Sequence, residues 1–154
     1  MTAHTRREML VTGAKVASLL AAAGFFPGLA HAAWPKAAFE TKSIADTVKA
    51  LGGSAPVVST EVTITGPDIA ENGAVVPVGA STTAAGATRL LLLVEKNPNA
   101  LAAVFDLTDA IEPNISTRVK MAQTSNVYAV AMMADGRALY AAKEIKVTLG
   151  GCGG

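Results

Sequence analysis

A chain of 154 residues is long enough for one domain with a hydrophobic core and too short for a large multidomain enzyme. Its 51% hydrophobic and 16% charged composition excludes intrinsic disorder, and a formal charge of +1 leaves no basic excess to neutralise nucleic-acid phosphates. A single cysteine excludes an internal disulfide scaffold and any thiolate cage for zinc or an iron–sulfur cluster.

The first segment reads as an address. Thr5-Arg6-Arg7-Glu8-Met9-Leu10 precedes a stretch from Val11 to Phe26 whose only charge is Lys15. Pro27-Gly28 breaks that stretch, and Ala30-His31-Ala32 offers a small-x-small cleavage site. Residues 1–32 are therefore expected to form an export signal, with an apolar core short of a ~20-residue membrane span. The pair Arg6 and Arg7 ahead of a weakly hydrophobic core points to the twin-arginine type, although Met9 stands where that pattern usually has Phe. An uncleaved anchor and an ordinary Sec signal are the competing readings. Cutting after Ala32 removes Arg6, Arg7, Lys15 and Glu8, which turns the formal charge from +1 to −1. His4 and His31 leave too. The expected mature chain thus has no histidine, which removes Ser–His and Cys–His nucleophile activation and every imidazole metal site.

Residues 33–149 read as a helix followed by strands. Phe39, Ile44, Val48 and Leu51 recur near helical spacing, and Gly52-Gly53 ends the pattern, with the left-handed turn expected at the second glycine. The mixed charges between them favour a helix packed on its own sheet over one lying on a membrane. The period then drops to two. Residues 61–65 alternate, and 74–78 form a run whose Pro77 suits an edge strand or a bulge. Residues 89–95 hold Leu90-Leu91-Leu92-Leu93-Val94, expected to be buried on both faces, and 102–107 follow. Over 114–121, Ile115, Thr117, Val119 and Met121 share one face. Residues 126–134 and 137–149 flank Asp135-Gly136, read as a hairpin turn because both residues tolerate positive φ. About seven such strands predict a mainly β fold, an immunoglobulin-like antiparallel β-sandwich with a short N-terminal helix. An up-and-down barrel is the alternative architecture.

The chain ends Leu149-Gly150-Gly151-Cys152-Gly153-Gly154. Four glycines around one thiol predict a swinging arm over 150–154, spanning at most ~17 Å when extended. A packing cysteine belongs in a core, whereas Cys152 has no side chain on either neighbour. A nucleophilic enzyme would fix its thiol beside a base and an oxyanion hole, and the arm supplies neither, so the thiol is expected near ~8.5. The chemistry suits a carrier: cargo bound through sulfur, catalysis supplied by other proteins. A frayed terminus and an intermolecular disulfide anchor remain open on the residues alone.

The signal, the β-rich body and the terminal Gly-Gly-Cys-Gly-Gly together resemble the SoxY family, the carrier subunit of the periplasmic sulfur-oxidising (Sox) system. Residues 69–78, Ile-Ala-Glu-Asn-Gly-Ala-Val-Val-Pro-Val, and residues 143–154 carry the resemblance beside the tail. The resemblance implies a periplasmic carrier, not an enzyme, with Cys152 as the covalent attachment point and Gly150, Gly151, Gly153 and Gly154 as its arm. It implies no bound metal or cofactor, only a carried thiosulfonate or persulfide. It implies a SoxZ-like β-sandwich subunit as heterodimer partner. A SoxAX-like haem protein, a SoxB-like hydrolase and a SoxCD-like sulfane dehydrogenase would be transient partners.

Overall fold

The computed structural model describes residues 5–22 and 35–150, and the chain divides into two units, Met1–Trp34 and Pro35–Gly154. In the first, helix α1 (Arg6–Ala22) begins at a capping box. The Thr5 N–H donates to Glu8 Oε2 at 2.9 Å, and the Glu8 N–H donates to Thr5 Oγ1 at 3.4 Å. Arg6 and Arg7 fall in the exposed first turn that this box defines. Among the described residues no helix is long and apolar enough to cross a membrane. The small-x-small site at 30–32 lies outside the described residues.

The single helix expected in the second unit is two short ones, α2 (Lys36–Phe39) and α3 (Ile44–Ala50). Hydroxyl chemistry separates them. Ser43 is an extended N-cap whose Oγ accepts from the Asp46 N–H at 3.1 Å, so a new helix starts there instead of the old one continuing. The left-handed residue after α3 is Gly52 (φ 86°), not Gly53. Gly53 serves a different need: a Cβ there would stand 2.7 Å from Val48 Cγ1.

Among the described residues nine strands follow: β1 (Val57–Val58), β2 (Val62–Thr65), β3 (Ile69–Ala70), β4 (Val76–Thr82), β5 (Ala87–Val94), β6 (Leu101–Asp106), β7 (Asn114–Val119), β8 (Ser125–Met133) and β9 (Ala138–Val147). A six-stranded sheet has the order β1-β9-β8-β5-β6, with β3 also on β9, and a three-stranded sheet has the order β2-β4-β7. Neither order closes on itself, so the barrel alternative does not apply. The sheets are not wholly antiparallel either, because β1 and β3 run parallel to β9. Both are too short to be seen as alternation in the sequence. β4 is a central strand in spite of Pro77. Its pairing with β2 covers only Gly79 to Thr82, so at Pro77 the neighbour is β7 alone, and the missing N–H interrupts no ladder on the β2 side.

Strand β5 shows how the core divides. Leu90, Leu92 and Val94 point into a cluster with Val76, Val78, Val127, Ala129 and Ile145, between the two sheets. Leu91 and Leu93 point the other way, into a cluster with Ala38, Val48, Val130 and Met132, beneath α2 and α3. The continuous apolar run is thus buried on both faces, each leucine contributing about 2–3 kcal/mol of apolar burial. The 135–136 turn is tighter in its demands than expected. Gly136 alone has positive φ (86°), and its N–H donates to the Met133 carbonyl at 3.0 Å, giving a type I turn closed by a left-handed glycine.

Leu92 is fully buried between the sheets, so Leu92→Ala is expected to cost about 2–5 kcal/mol of unfolding free energy in urea titrations. Val57→Thr, on an exposed edge strand, should shift the same midpoint little.

Candidate functional site

The chemistry-bearing tail leaves the body at the end of β9, and several segments converge there. Strand β3 lies along β9 in parallel, with Ile69 opposite Lys146 and Ala70 opposite Val147. The Lys146 N–H donates to the Asp68 carbonyl at 3.0 Å, and the Thr148 N–H to the Ala70 carbonyl at 3.1 Å. Thr148 Oγ1 adds a bond to the Glu71 carbonyl at 3.0 Å. One step further, the Gly73 N–H donates to the Leu149 carbonyl at 2.7 Å, while the Gly73 carbonyl accepts from the Met121 N–H at 2.7 Å. The two stretches that carry the family resemblance, 69–78 and 143–150, are therefore bonded to each other.

A side chain far away in sequence completes this root. Asn97 Nδ2 donates to the Lys120 carbonyl at 2.8 Å, and Asn97 Oδ1 accepts from the Ala122 N–H at 3.0 Å. Thr124 Oγ1 accepts from the Val147 N–H at 2.9 Å. Gly150 sits against the Ala122 carbonyl, where an added Cβ would collide with the oxygen. Gly150 was expected as the first link of a free arm. It is exposed, with its backbone close against that carbonyl. Gly151, Cys152, Gly153 and Gly154 lie outside the described residues. Arg6 and Arg7 belong to the other unit.

Around the root, Leu149 (66% exposed) and Ile69 (58%) present apolar side chains to solvent. The nearest ion pair is Lys143 Nζ to Asp68 Oδ1 at 2.8 Å. Among the described residues no group of three or more His, Cys, Asp or Glu could hold a metal. None of the described buried side-chain polar atoms lacks a partner. Asn97 and Gly73 were not singled out from the sequence, where both read as turn residues. Their partners lie 23 to 76 positions away, so no local pattern reports them.

The hydrogen bond from Lys143, and then its charge, hold the Asp68 carboxyl below its ordinary range, with Lys146 assisting and slight desolvation opposing. The unfolded chain takes up the Asp68 proton first, near ~3.9. The pair's contribution is therefore present above that pH and is lost as pH falls through the lower folded-state value. Thermal melts from pH 7 to 2.5 should show Asp68→Asn less stable than the parent at neutral pH and converging with it in acid. A gap that persists at the acid end would remove the ion pair as its cause.

A protein-family model described as "Sulfur oxidation protein SoxY" matches residues 48–152. Among solved structures, the sulfur carrier protein SoxY from Chlorobium limicola f thiosulfatophilum is 38% identical, with a TM-score of 0.60, over 68% of this chain and 94% of that one. A superoxide reductase (neelaredoxin) from Ignicoccus hospitalis gives a TM-score of 0.50 at 20% identity, over 56% of this chain and 78% of that one, a likeness of fold alone. No curated protein matches the chain. The family match takes in β1 to β9, the root at Gly73, Asn97 and Ala122, and the thiol at its last residue. The chain belongs to the SoxY family of sulfur oxidation proteins.

Proposed function

We propose that this protein is the covalent sulfur carrier of a periplasmic thiosulfate-oxidising system, with Cys152 as the attachment point. The observation that carries the reading is that the family match runs through the rooted end of β9 and stops on Cys152, the chain's one thiol. The SoxY it resembles at 38% identity is a sulfur carrier protein. The body, with its two sheets over one core, is read as an immunoglobulin-like sandwich serving as a mount. Residues 1–32 are the twin-arginine-type signal that would deliver it. The neighbours of Cys152 in the sequence, Gly151 and Gly153, carry no side chains.

In this reading the Cys152 thiol loses its proton to solvent, and its sulfur forms a bond to the sulfane sulfur of thiosulfate. Two electrons pass to a SoxAX-like haem protein. Water then cleaves the sulfur–sulfonate bond in a SoxB-like hydrolase, releasing sulfate and leaving a persulfide on Cys152. A SoxCD-like dehydrogenase would oxidise that sulfur where it is present. A SoxZ-like subunit is the stable partner, and the exposed faces of α3 and of the β8–β9 hairpin are candidate surfaces for it. The carrier itself activates no substrate in this reading.

Mass spectrometry of protein taken during thiosulfate turnover should find sulfane and sulfonate adducts on the peptide containing Cys152, and none in Cys152→Ser. Flux should be lost with them. If Cys152→Ser abolishes only a crosslinked species and leaves thiosulfate oxidation intact, the cysteine is a disulfide anchor. Gly151→Val combined with Gly153→Val should leave the unfolding midpoint unchanged yet lower partner-dependent flux by about 10-fold or more, through bulk on the arm.

A further inference from the structure

The strongest unassigned feature is the way the chain is held just before the thiol. We infer that Gly150 is a fixed point at the root of the tail, and that Asn97 is the positioning residue that sets it. This rests on the carrier reading for its purpose, though its geometry does not depend on any cargo.

Glycine at 150 is not there for backbone freedom. Among the described residues positive φ occurs at Gly52, Gly86 and Gly136, and Gly150 is not one of them. It is there because the backbone passes so close to Ala122 that a methyl group would strike the carbonyl oxygen. That carbonyl can serve as a stop only if residues 120–122 are themselves immobile. Asn97 makes them so, donating to the Lys120 carbonyl and accepting from the Ala122 N–H with one planar amide. No other side chain of this length does both: Asp lacks the donor and would face the Lys120 carbonyl with a charge. The buried Gly73 ties the same segment to Leu149, accepting from the Met121 N–H and donating to the Leu149 carbonyl. The chain is thereby gripped at 149 by Gly73 and stopped at 150 by Ala122.

The consequence is a short reach. Cys152 stands two positions beyond Gly150 in the sequence, so covalent geometry alone limits the distance between their Cα atoms to at most ~7 Å. A partner's active site must then close over the root itself.

The chain's lone cysteine allows a nitroxide to be placed on Cys152 against a second one at Thr63→Cys, an exposed position on β2. Distance distributions are read by double electron–electron resonance on unloaded protein. Gly150→Ala and Asn97→Asp should each release the chain back to Thr148. The free segment then grows from two residues to four, and the distribution widens by roughly 1.4-fold, as the square root of length. Asn99→Asp, on an exposed neighbour, should leave it unchanged. A second readout separates a fixed point from mere stability. Alkylation of Cys152 by iodoacetamide should keep its rate in Gly150→Ala and Asn97→Asp, while partner-catalysed loading falls by about 10-fold or more. Should Asn97→Asp fail to fold, Gly150→Ala carries the test, since the added methyl group disturbs only the contact with Ala122 and the neighbouring Gly73–Leu149 bond. Widths equal to the parent's in both variants, or in Gly150→Ala alone where only it folds, overturn the fixed point. So does unchanged partner-catalysed loading. Because the distance measurement uses no sulfur substrate, its failure is distinct from failure to find adducts on Cys152.

Discussion

Strand β9 is bonded along both edges, and the rest of the molecule can be understood as the means of keeping it so. On one side the ten-residue strand pairs with β8, from Ala138 opposite Met132 to Ile145 opposite Ser125. On the other, two short parallel strands divide the edge: Val57 and Val58 lie opposite Leu139 and Tyr140, while Ile69 and Ala70 lie opposite Lys146 and Val147. An edge strand can slip or fray at its end, whereas a strand paired on both sides cannot move without breaking ladders on each. The last residues before the tail inherit that constraint.

The two-faced core supplies the stiffness that this arrangement needs. Alternate residues of β5 and β8 serve the space between the sheets and the space beneath the helices, so both faces of the large sheet are packed. Close-packed interiors have low compressibility and hold surface groups in place. Among the described residues the body gathers no set of metal ligands and leaves none of its buried polar side-chain atoms unpaired.

Much of the scaffold was legible. Leu90 to Val94 announces a doubly buried strand because no surface strand tolerates five consecutive apolar residues, and Ile115 to Met121 announces a one-faced strand by alternation. Other readings failed for identifiable reasons. The helix over 39–51 is split because the Ser43 hydroxyl offers a cap that periodicity does not register. Pro77 reads as an edge marker and is one locally, although β4 as a whole is central, because β2 is too short to reach it. Gly52 and Gly53 are equivalent in sequence, and only packing against Val48 decides which supplies the turn and which the close approach.

What the amino-acid order determined by itself was the chemistry: one thiol, glycine on either side of it, no histidine after position 31, and enough apolar patterning for a mainly β body. These are properties of residue types and neighbours, which a linear chain displays. Where the arm begins was decided by tertiary structure alone. Gly150 looks like its three terminal companions until the Ala122 carbonyl is brought against it. That contact exists because Asn97 and Gly73 bridge segments distant along the chain, which only folding places within hydrogen-bond reach.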